Sequence, residues 1–129
     1  MSSLKCVVVT PEKTELDVDT DSVTIPMYDG EMGILKSHSP LVGRLGYGVL
    51  KIGSDGGGQG YFIEGGLVQV LGDVVSVLTD RLLPMSEVTS SSASEAMKEA
   101  LAMPTDDPDV AVAREKAITR ARAMTRLAG

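Results

Sequence analysis

Residues 29–41, DGEMGILKSHSPL, are the stretch on which the reading of this chain turns. Gly30 and Gly33 bracket Glu31 and Met32. Glycines this close together permit tight turns with positive φ, at a cost in backbone entropy. Ile34-Leu35 follows as a short apolar step, and then comes His38, the single histidine of the chain, between Ser37 and Ser39. Pro40 ends the run and biases Ser39 toward an extended conformation. Polar clusters of glycine, serine and proline are turn and loop signals, so the composition predicts a long loop between two strands. Carried on a rigid scaffold, such a loop is also a natural docking element.

The flanking sequence supplies the scaffold. Upstream, Lys5 to Thr10 is a β-branched run stopped by Pro11, which reads as a strand. From Glu15 to Ile25, apolar Leu16, Val18, Val23 and Ile25 alternate with acids and hydroxyls, predicting one or two half-buried strands. Asp17, Asp19 and Asp21 then form a solvated polar face; the glycine and terminal glutamate of a calcium loop are missing. Downstream, Gly48–Ile52, Gly60–Glu64, Leu67–Leu71 and Val74–Leu78 read as further short strands. Ser54 to Gly60 is a turn cluster placed to close a hairpin. It has neither the Gly-Lys-Ser/Thr ending nor the following helix of a phosphate-binding loop. Strands this short, with turn signals this frequent, indicate a β-sandwich or barrel ending at Leu83-Pro84.

The composition changes after Pro84. Residues 86–129 are alanine-rich and hold no glycine before the last position. Ser92 with Glu95 predicts a capping box, followed at helical spacing by Ala93, Ala96, Met97, Ala100 and Leu101. Pro104-Thr105-Asp106-Asp107 interrupts. Asp107 suits an N-cap, Pro108 the first helical position and Asp109 the positive end of the dipole, which predicts a second helix to about Leu127. Its apolar stripe is Val110, Ala113, Ala117, Ala121, Met124 and Ala128. Side chains that small permit close contact but bury little area, so the expectation is a weakly held helical hairpin.

The whole chain, 129 residues, suffices for one or two small domains. One Phe, three Tyr and no Trp leave the core to Val, Leu, Ile and Met. A formal charge of −6 argues against a nucleic-acid binder, which carries a basic footprint. The lone Cys6 lies in a valine run, where a buried hydrophobe is expected, and it excludes an internal disulfide. No run approaches the length of a transmembrane helix, and the N-terminus lacks the pattern of a signal or transit peptide. One histidine and one cysteine make neither a metal cluster nor a nucleophile pair, so the chain is expected to be no enzyme by itself and to need no cofactor.

The opening stretch, continuing through Val42-Gly43-Arg44-Leu45 to Gly48-Val49-Leu50-Lys51-Ile52, resembles the epsilon subunit of bacterial F-type ATP synthase. Glu64-Gly65-Gly66-Leu67-Val68-Gln69-Val70 fits that family's second signature, and Val74 to Asp80 fits the strand closing its first domain. The match is collinear from about Lys5 to Asp80; Lys36 departs from it, standing where the family usually has proline. The resemblance implies a ten-stranded β-sandwich over 1–84, touching the gamma subunit and the ring of c subunits. It also implies a regulatory antiparallel helical hairpin over 85–129. It assigns Glu31, Met32, Gly33 and His38 to the ring contact. It places the chain in the rotor stalk on the cytoplasmic face of the bacterial cell membrane, peripheral, and meeting the membrane only through the c-ring.

In that family the extended hairpin enters between the alpha/beta catalytic subunits and gamma and blocks ATP hydrolysis. Some members bind ATP on it through an Asp and an Arg opening the first helix. In Val88-Thr89-Ser90-Ser91-Ser92-Ala93 those positions are Thr89 and Ser92, so weak or absent ATP binding is expected. Arg122 and Arg126, one turn apart, remain as weak nucleotide candidates. Two other readings stay open from the residues alone. One is a free-standing β-sandwich adaptor with a helical recruitment tail; the other is a small domain binding a nucleotide or polyphosphate.

Overall fold

The computed structural model describes residues 3–53 and 59–128, and divides the chain into two compact units, Met1–Pro84 and Met85–Gly129. Among the described residues the first unit holds eight strands: β1 (Leu4–Val9), β2 (Thr14–Thr20), β3 (Ser22–Met27), β4 (Gly30–Leu35), β5 (Leu41–Ile52), β6 (Gln59–Leu71), β7 (Val74–Leu78) and β8 (Leu82–Pro84). They pair in the order β2-β1-β7-β6-β5-β3-β4, with β8 on β6.

Ten strands were expected and eight are found, because two of them serve twice. Residues 41–45 of β5 pair with 66–70 of β6, beside β7, β1 and β2. Residues 47–52 of β5 pair with 59–64 of β6, beside β8, β3 and β4. Each half forms a five-segment layer, and strands expected as separate pieces, such as Gly60–Glu64 and Leu67–Leu71, are one long strand. The change of layer falls on glycine. Gly65 and Gly66 have φ of 69° and 111°, which side-chain-bearing residues rarely adopt. At Gly46 a Cβ would stand 2.7 Å from the Met27 carbonyl oxygen, so the backbones pass too closely for a side chain.

The core lies between the layers. Leu4, Cys6 and Val8 of β1, Val68 and Val70 of β6, and Val75 and Val77 of β7 meet Val23 and Ile25 of β3, Ile34 of β4 and Leu50 of β5 in one buried cluster. These are alternate residues along each strand, as a pleated sheet buried on one face requires. Cys6 is one of them, and burial pushes its thiol up to about 11, so it stays protonated and unreactive. Of the turn cluster expected over Ser54 to Gly60, residues 54–58 lie outside the described residues, and Gln59 and Gly60 belong to β6, where Gln59 pairs with Ile52.

The second unit has a 3-10 turn (Met85–Glu87) and two helices, α1 (Ser90–Leu101) and α2 (Pro108–Ala128), which pack side by side as a helical hairpin. The cap of α1 is Thr89 rather than Ser92. Thr89 Oγ1 accepts from the Ser92 amide at 3.1 Å, and Ser92 Oγ accepts from the Thr89 amide at 2.9 Å. The serines fit the first turn because its amides have no partner within the helix, and a serine at the third position can close the box. Asp107 does cap α2: its Oδ1 accepts from the Asp109 amide at 3.0 Å, with Pro108 at the first position. On α1, Ala93 and Ala100 are buried and Leu101 is exposed; on α2 the buried residues are Ile118, Ala121, Ala123 and Met124, and Ala113 is exposed. Of the expected stripe, Ala121 and Met124 are buried, Val110, Ala117 and Ala128 are half-buried, and Ala113 alone is exposed.

Candidate partner-docking surfaces

Three surfaces qualify, and the first, an apolar sheet face, is not among those singled out from the sequence. In the second half of β6, Val68 and Val70 point into the core while Leu67, Gln69 and Leu71 point out. In β7, Val75 and Val77 point in while Val74, Ser76 and Leu78 point out. The register sets Leu67 opposite Leu78 and Leu71 opposite Val74, so the outward side chains form rows across the strands. Val42 of β5 extends the patch at 73% exposure; Leu71, Leu67 and Leu78 are 58%, 53% and 52% exposed. On the other side Val7 and Val9 of β1 stand beside Ser76 and Leu78. A recess of about 380 Å³ opens where Val9, Pro11, Leu67 and Leu78 meet. The patch grades at β2 into an acidic edge, where Lys5 Nζ lies 3.4 Å from Asp17 Oδ1. A contiguous apolar area rimmed by polar groups marks an interaction site on a folded domain. The sequence signal was present: Leu67-Val68, Val70-Leu71, Val74-Val75 and Val77-Leu78 are apolar pairs, so these strands are apolar on both faces rather than alternating.

The second surface is the opening stretch itself. It is not the long loop that its composition predicts. Gly30–Leu35 is strand β4, joined to β3 by Tyr28-Asp29 and paired with it from Met27–Gly30 to Ser22–Leu35. Glycine lowers strand propensity but does not forbid a strand at a sheet edge, where pairing on one side is enough. Glu31 and Gly33 are exposed, whereas Met32 packs against the core cluster. Four strand residues carry the chain from Glu31 to Leu35, roughly 13 Å at about 3.3 Å per residue. Glu31 and His38 therefore do not share one turn; they stand toward opposite ends of an edge strand.

His38 lies in the turn that follows. Its amide donates to the Leu35 carbonyl at 3.2 Å, and its Nδ1 lies 2.7 Å from the Ser39 carbonyl oxygen. A carbonyl only accepts, so Nδ1 carries the proton in that contact. The same turn is tied to a distant segment: the Ser37 amide donates to Asp73 Oδ1 at 2.7 Å.

The third surface is the α2 face carrying Arg122 and Arg126, both exposed and one turn apart. Among the described residues no group of three or more His, Cys, Asp or Glu is arranged to hold a metal ion. None of the described helices is long and apolar enough to cross a membrane.

The fold and its surfaces define a class: a β-sandwich that presents an apolar face, followed by a helical hairpin. The beta-sandwich domain of the ATP synthase Delta/Epsilon chain matches residues 3–85. The ATP synthase epsilon chain of Rhodopirellula baltica is 46% identical over 96% of this chain and 97% of its own length. The sodium-ion-specific epsilon chain of Propionigenium modestum is 33% identical over 95% and 93%. A chain in the mitochondrial ATP synthase of Euglena gracilis, solved as an OSCP/F1/c-ring assembly, is similar with a TM-score of 0.77 at 25% identity, over 98% of this chain and 81% of that one. The chain belongs to the ATP synthase epsilon-chain family, and so is a subunit of a larger membrane-associated assembly.

Proposed function

We propose that this chain is a non-catalytic rotor-stalk subunit of a bacterial F-type ATP synthase, coupling ion flow through the c-ring to ATP synthesis. The observation that carries the reading is the exposed Val42, Leu67, Leu71 and Leu78 face on a sandwich of the epsilon family. An apolar patch of this kind is stable in water at a cost and is suited to burial against one permanent neighbour; we assign that neighbour as the gamma subunit. Residues 1–84 supply the gamma and c-ring contacts, and residues 85–129 the regulatory hairpin. Glu31, Gly33 and His38 form the foot on the c-ring, with Met32 anchoring β4 from inside. A rim charge such as Glu31 adds register more than affinity. The chain then sits on the cytoplasmic face of the membrane, peripheral to it and held there through the ring.

The test is co-purification of the full chain with gamma and with the c-ring. Capture of both supports the stalk reading, and capture of neither returns the chain to the free-standing adaptor reading.

The hairpin is assigned the role of a conditional brake on the alpha/beta catalytic subunits. Deleting residues 86–129 is expected to leave assembly intact while raising ATP hydrolysis by the reconstituted complex. An unchanged hydrolysis rate would mean that the hairpin is no brake in this enzyme. Arg122 and Arg126 are assigned to acidic protein surface on a partner rather than to ATP, since Thr89 and Ser92 spend their hydroxyls on each other's backbone amides. A sub-millimolar ATP affinity by equilibrium dialysis would overturn that assignment.

A further inference from the structure

Two residues other than glycine have positive φ among the described residues, Ser37 at 67° and Asp73 at 55°. They are bonded to each other, across 36 positions of sequence, through the Ser37 amide and Asp73 Oδ1 at 2.7 Å. That length belongs to the short end of amide-to-carboxylate bonds, which are stronger than neutral ones. Asp73 is held from its own side as well. With Gly72, φ 53°, it makes the two-residue turn between β6 and β7, closing Leu71 onto Val74. Both central residues of such a turn need positive φ, which aspartate tolerates. Its carbonyl oxygen accepts from the Lys5 amide of β1 at 2.9 Å. A rigid three-strand corner therefore presents one carboxylate to the turn that carries His38.

We infer that Asp73 is the positioning residue of the His38 turn: its carboxylate fixes Ser37 in the left-handed conformation and so sets where Ser37, His38 and Ser39 face. The inference rests on the proposal that this turn meets the c-ring. Asp73 need not touch the ring, because it acts through Ser37. Three residue types satisfy the β6–β7 turn, and they separate the two roles. Aspartate supplies a charged acceptor, asparagine a neutral one, and glycine the backbone conformation alone.

The experiment compares the full chain with Asp73→Asn and Asp73→Gly, reading Ser37 amide hydrogen exchange by NMR, then affinity for purified c-ring and for gamma. In Asp73→Gly the Ser37 amide is expected to exchange about tenfold faster and ring affinity to fall about tenfold, equivalent to about 1.4 kcal/mol, with gamma affinity unchanged. Asp73→Asn should retain most of both, a rescue that general loosening of the sandwich would not produce. Unchanged Ser37 exchange in Asp73→Gly overturns the clamp. Faster exchange with undiminished ring affinity overturns its positioning role. If the wild-type chain itself does not bind the ring, the foot assignment falls, and the exchange comparison alone decides whether Asp73 orders the turn.

Discussion

Gly66→Ala is expected to remove a large part of the stability of the β-sandwich. A Cβ built on Gly66 lies 1.9 Å from the Leu78 carbonyl oxygen, 2.9 Å from its carbonyl carbon and 3.0 Å from the Thr79 Cα. All three are backbone atoms, so no side-chain rotation relieves the clash. Nor is the opposing backbone able to retreat. Leu78 is held by its pairing with Leu67, the Thr79 amide donates to the Val9 carbonyl at 3.0 Å, and the Thr79 hydroxyl accepts from the Glu64 amide at 3.0 Å. The φ of 111° adds strain of its own, of order 1–3 kcal/mol for a residue with a side chain. Together these give a loss of about 3–5 kcal/mol, a large share of the roughly 5–15 kcal/mol that holds a domain folded.

Gly72→Ala is the comparison. Its φ of 53° is also positive, but a Cβ there meets nothing within 4 Å, so only conformational strain of about 1–2 kcal/mol applies. Urea unfolding followed by far-UV circular dichroism and the strand tyrosines Tyr47 and Tyr61 measures both. Equal midpoints for the two variants would show that the layers separate at Gly66 without cost, and the account of this crossing would be wrong.

That crossing also shows which features of the chain were legible in its sequence. The start of α2 was, because Asp107, Pro108 and Asp109 are local signals whose physics is complete within three residues. The inward residues Val23 and Ile25 of β3 were, because alternation is local too. The cap of α1 was displaced because Thr89, Ser90, Ser91 and Ser92 can all cap, and neighbouring residues do not choose among them. Strand β4 was read as a loop because glycine and serine weaken a strand signal, while the pairing that creates the strand comes from β3. The bond from Ser37 to Asp73 is non-local by 36 positions and leaves no pattern in either segment. The apolar face was half legible. Doubly apolar strands signal burial on both sides, but the sequence does not say whether a second layer or another subunit covers the outer one.

The identity of that cover can be tested at Leu78. Leu78→Glu is expected to leave the isolated chain folded and to lower its affinity for gamma by at least about 100-fold, or about 2.7 kcal/mol. The side chain is 52% exposed and points away from the core, and surface substitutions of this kind change stability by about 0.5 kcal/mol or less. On the apolar face its position is central. Leu67 stands opposite on β6, Val9 opposite on β1, and all three line the recess. A carboxylate placed there is solvated in the free chain. Covered by a partner and given no cation, it keeps its charge only at a desolvation cost of several kcal/mol. Leu78→Met, which keeps the apolar contact, should bind gamma nearly as the wild type does. Glu31→Ala, on β4 in the other layer, should leave gamma binding intact and weaken only the ring. Titration calorimetry against gamma separates these variants. If Leu78→Glu binds gamma as tightly as the wild type, with an unchanged melting temperature, the stalk contact lies elsewhere on the sandwich and the apolar face must be assigned another neighbour.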